Sequence, residues 1–296
     1  MGQAKATNVI AVEEPLPAAP LGLRRTPYSA VRSCGEIRLG FRPGAGSVAI
    51  GEAYQGGCLR VRLPRVGRHE NPCAVLLNTS GGLTGGDSIT QRIAWGERSI
   101  ATVTSQAAEK IYRALDLPTT IDTRLNVAVG AQAEWLPQES IIFDRARLVR
   151  DMQVRLASDA DFLGIEAVVL GRTAMDERVE TGSLIDRWRI WRDDRLVYAD
   201  ALNLSGPIDA LMRRPAVGAG ARAMALVILA APRAAAMIDP LRVALRDARG
   251  QAAASSWNGM TMARLLAPDG AVLRHDLLLA LGVLREGRPM PRVWSC

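Results

Sequence analysis

The chain has 296 residues, 48% of them hydrophobic and only 4% aromatic, with a formal net charge of +7 carried almost wholly by arginine, since Lys5 and Lys110 are the only lysines. That length can bury a substantial core as one large or two small domains, while apolar runs well short of the roughly 18 residues needed to cross a bilayer exclude a membrane-spanning helix. Sparse aromatics and scattered arginines argue against nucleic-acid binding, and His69, His275 and four cysteines without a C-x-x-C pair exclude a His-rich metal site and a disulfide framework.

Residues 1–30 are rich in Ala and Pro without periodicity and read as a flexible N-terminal tail, followed by a single domain over 31–296. The tail has no continuous apolar stretch of the kind a secretory signal needs, so a cytoplasmic location is the expectation. From Ile37 onward short alternating segments begin, among them Leu59, Val61 and Leu63 against Arg60 and Arg62. An apolar run from Ala74 to Leu77 then leads into residues 77–87, LNTSGGLTGGD, where four glycines in six positions offer backbone freedom that no other residue has. Ile89, Gln91, Ile93 and Trp95 alternate with Thr90, Arg92 and Ala94 on the far side, which makes the stretch strand, glycine turn, carboxylate, strand. Gly81 to Ser88 has the spacing of a phosphate loop but carries Asp87 in place of the lysine that neutralises phosphate. A strand also follows where such a loop must open a helix, so the nucleotide reading fails twice.

Further along, Ile121, Thr123, Leu125, Val127 and Val129 alternate with polar residues, as do Met152, Val154 and Leu156. Strand-like segments 187–192 and 196–202 flank Asp193-Asp194 as a hairpin. Gly218 to Ala223 reads as a plain turn, since the strand-like run follows it where a dinucleotide fingerprint needs the strand first. Helices come late. Asp239-Pro240 reads as a cap and first helical residue, with Leu241, Ala244, Leu245 and Ala248 on one face and Gly250 as the stop. After Asp269-Gly270, residues 272–285 read as a second helix with leucines nearly all round, which must be buried within the chain or against a partner. Closely spaced short strands make the chain mainly β, and no fixed sequence repeat is visible.

Chemistry can reside in carboxylates set among small or apolar residues: Asp87, Glu109, Glu139, Asp144 and Glu166. Burying a lone carboxylate costs several kcal/mol or forces it to take a proton. Each must therefore reach the surface, pair with an arginine (Arg145 or Arg147 for Glu139, Arg172 for Glu166), or face a wet internal space. Three readings compete: a carboxylate-pair polysaccharide hydrolase on a β-helical scaffold, a scaffold with interaction surfaces only, and a hydrated passage for a metal ion.

Residues 77–87 together with 104–113 (TSQAAEKIYR), 135–144 (WLPQESIIFD), 171–175 (GRTAM) and the closing 290–294 (MPRVW) resemble the urease accessory proteins of the UreD/UreH family. The resemblance covers residues 31–296, departing from the family pattern at Met290-Pro291 and Asp176-Glu177. It implies an irregular two-layered β-helix-like body with a small helical region towards the C-terminus. It also implies a non-enzymatic maturation factor that works with UreF and the GTPase UreG on apo-urease and assists nickel insertion. No cofactor would be tightly bound, nickel(II) being only transient. The positions that match the motifs are Ser80, Asp87, Glu109, Glu139 and Asp144, with Glu166; of these, Asp87, Glu139 and Asp144 are the carboxylates expected to line a nickel passage, with Glu109 and Glu166 as its further candidates. Oxygen ligands suit that task because they hold nickel(II) more weakly than imidazole or thiolate. Leu277, Leu281 and Trp294 are the expected UreF-binding residues.

Overall fold

Alternating inward apolar and outward polar side chains build two stacked sheets in the computed structural model, which describes residues 32–44, 48–67, 70–172 and 175–295. The first sheet holds β1 (Cys34–Pro43), β2 (Val48–Gly57), β5 (Ser88–Trp95), β8 (Thr119–Val127), β11 (Arg147–Leu156), β13 (Gly182–Arg192) and β14 (Arg195–Gly206). Its spatial order is β14-β13-β11-β8-β5-β1-β2, parallel from β1 to β13 and antiparallel at both edges. The second sheet holds β3 (Leu59–Arg62), β4 (Cys73–Asn78), β6 (Ile100–Ser105), β9 (Gln132–Leu136), β12 (Asp161–Leu170), β15 (Ala223–Ala230), β16 (Gln251–Trp257) and β17 (Met260–Ala267), in the order β16-β17-β15-β12-β9-β6-β4-β3. Along a third side, the short strand β7 (Glu109–Ile111) pairs with β10 (Ser140–Ile142), and β10 with β12.

From β4 to β12 the chain winds through second, third and first sides in turn, which makes this part a β-helix. The repeat that the sequence conceals is therefore structural. Leu83, Ile111, Ile142 and Leu170 stack on successive turns of the coil through parallel pairings. Thr102 bonds Glu134 and Gln91 bonds Thr123, each pair 32 residues apart. Inward positions need only be apolar and of fitting size, so rungs stack without sharing identities. The strings 77–87, 104–113 and 135–144 are one corner of the coil met three times.

The main core fills the space between the sheets, with Ile37, Leu39, Trp95, Leu125, Val154, Phe162 and Trp188 buried there. A second core lies on the other face of the second sheet, under α3 (Gly270–Leu284), which follows the short helices α1 (Ile208–Arg213) and α2 (Ile238–Ala244). β12 is buried on both faces, which explains why Phe162 to Leu170 is nearly continuously apolar. The Asp269 side chain caps α3, accepting from Val272 N at 2.9 Å. Asp193 and Asp194 both take positive φ (47° and 59°), the type I′ turn that suits a two-residue hairpin.

Three expectations need correction. α2 (Ile238–Ala244) begins before Asp239-Pro240, because a 3-10 turn over Ala234–Met237 feeds it, and it ends well ahead of Gly250. The alternation at Val129 and Leu63 outlasts the strands, and both side chains are exposed. Leu277, Leu281 and Trp294 do not form an outward docking face: they are 3%, 0% and 4% exposed. α3 turns Leu277 and Leu281 onto the second sheet, and the Trp294 indole N–H, in a 3-10 turn beyond the helix, donates to Thr104 Oγ1 and the Leu136 carbonyl, both at 3.2 Å. The tail expected over 1–30 lies outside the described residues.

Candidate functional site

The glycine turn between β4 and β5 is shaped by close approach. Gly82 has φ 144°, and a Cβ there would stand 2.9 Å from the Lys110 carbonyl and collide with the Tyr112 ring. Asp87 closes the turn. Buried at 4% exposure, it accepts from Ser33 N through Oδ1 and from Thr84 N through Oδ2, both at 2.8 Å. Both oxygens are thus engaged with main-chain donors of half-buried residues. Asp87→Ala is expected to lower unfolding free energy by about 2–3 kcal/mol, measured by urea denaturation; an unchanged midpoint would remove this structural role.

Behind the turn, between the two sheets, lies a cavity of about 220 Å³. Exposed Gly81, Gln106 and Ala107 frame its mouth, and buried Arg150 and Glu166 form its floor. Glu109 stands on the wall. Its carboxylate accepts from Asn78 Nδ2 at 3.0 and 3.1 Å, and Asn78 Oδ1 in turn accepts from the Ser80 hydroxyl at 2.6 Å. Burial pushes the Glu109 carboxyl up to about 7, against the opposing pull of Asn78, the Lys110 amide and the Lys110 charge. The residues linked here, Asn78 and Glu109, are 31 apart and occupy the same corner on successive turns of the coil.

The floor is a buried charge knot. Arg150 donates through Nε and Nη2 to Asp186 at 3.2 and 2.7 Å, and through Nη1 to Ser140 Oγ at 3.1 Å and Glu166 Oε1 at 2.5 Å. One guanidinium thus serves two carboxylates. Burial pushes Glu166 above its ordinary value and the nearby Asp186 charge adds to the shift, while Arg150 pulls the other way. Parallel pairing sets Ile89, Ile121, Arg150 and Asp186 in one inward row of the first sheet. Glu166 faces them from β12.

Of the five carboxylates expected on one route, Glu109 and Glu166 meet in this cavity; Asp87, Glu139 and Asp144 do not line it. Glu139 is about a third exposed and pairs with Arg274 of α3 at 3.7 Å. Asp144 accepts from Thr181 N at 3.0 Å beside Arg145 at 3.5 Å. The arginine partners also differ from those expected by proximity in sequence, Arg172 being taken by Glu177 at 2.7 Å. Arg150 and Asp186 carried a signal that the sequence reading passed over: each sits on the apolar side of an alternating strand, Leu148-Arg150-Met152-Val154 and Leu184-Asp186-Trp188-Ile190. Among the described residues no three His, Cys, Asp or Glu side chains converge as a metal-holding group. Weak oxygen donors at intervals are what the cavity offers a divalent cation.

Residues 33–295 match the family described as UreD urease accessory protein. The chain belongs to the UreD family. Similar proteins named urease accessory protein UreD include that of Azorhizobium caulinodans, 44% identical over 266 residues covering 89% of this chain and 97% of the relative. That of Xanthobacter autotrophicus is 44% identical over 264 residues, covering 89% and 90%. That of Rhizobium etli is 44% identical over 250 residues, covering 84% and 90%. Urease maturation is therefore the setting in which this UreD-family cavity is to be understood, and its relatives are named as accessory proteins. No helix among the described residues is long and apolar enough to cross a membrane.

Proposed function

We propose that the chain is a non-enzymatic nickel-delivery component of urease maturation, in which the inter-sheet cavity admits nickel(II) past Glu109 and Glu166 on its way to apo-urease. UreF and, through it, the GTPase UreG are the partners the family resemblance implies. The observation that carries this reading is the placement of Glu109: a half-buried carboxylate with an amide partner and no ion pair among the described residues, on the wall of an accessible cavity. Such a group offers nickel(II) a hard, weak ligand, and multiple weak contacts allow entry as well as exit. Glu166, being held to Arg150, would contribute only as that pair loosens. Trp135 is the one aromatic on the cavity wall, so a sugar-binding platform gains no support.

Glu109→Gln together with Glu166→Gln is expected to lower the nickel content of co-expressed urease several-fold, measured by elemental analysis, while the accessory assembly still co-purifies. Fully nickel-loaded urease from the double variant would end this reading. Proton linkage gives a second check. Because the folded-state value of Glu109 is raised, its stabilising contribution is complete below the ordinary glutamate range and is lost as pH rises through about 7. Nickel uptake by the isolated chain should run the opposite way, rising between about pH 6 and about pH 8 as the carboxylate ionises. Glu109→Gln should flatten both profiles.

A further inference from the structure

The solvent face of the first sheet carries a pattern that folding does not require. Arg38, Arg92 and Arg124 stand directly opposite one another on β1, β5 and β8, and the same row continues through Gln153 on β11 to Arg189 on β13. Adjacent strands lie about 4.8 Å apart, so the row extends roughly 19 Å. Like charges directly opposite on a sheet destabilise it. Arg38 is relieved by Glu36 and Glu52 at 3.1 and 3.2 Å, and Arg124 by Asp122 at 3.2 Å. Arg92 and Arg189 are exposed and have no ion pair or side-chain hydrogen bond among the described residues. Among the described residues no helix packs on this face: α3 lies on the second sheet, and α1 (Ile208–Arg213) turns Ile208 and Met212 into the core between the sheets.

We infer that this face docks a protein partner that presents a row of carboxylates to the arginine ladder. Guanidinium groups in a fixed row match carboxylates bidentately, which an ammonium would not. The neighbouring row decides between partner classes. It runs Glu36, Thr90, Asp122, Asp151, Arg187, and its three acids, held by Arg38, Arg124 and Arg187, make the face one of alternating charge that the uniformly anionic backbone of a nucleic acid does not match. A protein surface can instead place cations over that row and carboxylates over the arginines, the complementarity that fixes register in protein interfaces. A hollow lined in part by Val149 and Ile185, and carrying Arg113, Arg145 and Arg147, offers such a partner an anchor of mixed apolar and cationic character.

This inference rests on the chain working within a maturation assembly and not on the nickel route. The test uses the tagged full chain co-expressed with urease subunits and the other accessory proteins, reading captured protein by mass spectrometry and arginine reactivity with phenylglyoxal. Arg92→Glu with Arg189→Glu is expected to cut capture about tenfold, and both arginines should react more slowly in the assembly than in the free chain. Arg242→Glu with Arg246→Glu, the same charge change elsewhere, should leave capture intact. Arg92→Gln with Arg189→Gln covers the case in which the reversals unfold the sheet. Unchanged capture and reactivity would overturn the inference, as would an equal loss from both charge reversals. So would binding of a short DNA duplex that the ladder variants abolish while protein capture stays. Urease short of nickel despite normal capture would count against the route alone.

Discussion

Arg150→Met is expected to lower unfolding free energy by about 3–5 kcal/mol, read by urea denaturation at neutral pH. The magnitude follows from what remains behind. Arg150 is 4% exposed, and Glu166 and Asp186, both 7% exposed, lose their only common counter-charge when the guanidinium goes. Methionine replaces the stem and leaves two carboxyls facing each other between the sheets, where at least one must take a proton. The loss should therefore shrink as pH falls, since protonation removes the repulsion. Adding Glu166→Gln and Asp186→Asn to Arg150→Met should recover much of the stability, because neutral groups of similar shape no longer need a counter-charge. A loss below about 1 kcal/mol for the single substitution would mean that water reaches this floor and solvates the acids.

A second loss of about 3–5 kcal/mol is expected for Arg285→Ala, with a different spatial signature. Arg285 is 2% exposed at the end of α3 and donates through Nε and Nη2 to the two oxygens of Glu134 on β9, both at 3.1 Å. Its Nη1 holds the Arg288 carbonyl at 3.0 Å, so one side chain ties the second sheet to both the helix and the segment that follows. Glu134 also accepts from Thr102 Oγ1 and pairs with Arg288 at 3.3 Å. Removing Arg285 leaves that carboxylate with one partly exposed cation. Amide hydrogen exchange should therefore quicken first in residues 286–295 and the last turn of α3, before the strands of the first sheet respond. Exchange that quickens uniformly would show that the pair acts on global stability and not as a local tie. Glu134→Ala should cost a similar amount, and the double variant less than the sum, because the two residues share one interaction.

The two knots differ in what a linear reading could reach. Residues 152–156 and 121–127 alternate so regularly that their strands, and the face each side chain takes, followed from period alone. The glycine run before Asp87 likewise marked a tight turn between strands, as found. Asp269 announced the start of α3 because capping is decided within a few residues. What failed was equally local in cause: a 3-10 turn ahead of α2 competed with the Asp239-Pro240 signal, and only packing of Leu241 and Ala234 in the second core settled where the helix begins.

Period, turn chemistry and motif order are properties of neighbouring residues, so the sequence by itself determined a mainly β chain with late helices and its membership of the UreD family. Which carboxylate meets which cation is a property of coil stacking, where contacts join residues 31, 32, 36 or 151 positions apart. Only the tertiary structure could separate Glu109 and Glu166, which share a cavity, from Asp87, Glu139 and Asp144, which do not. It alone placed Arg150 opposite Glu166 and lined up Arg38, Arg92, Arg124 and Arg189 across parallel strands. Charge interactions act through space at a few ångströms, and in a β-helix that distance is set by the register between turns.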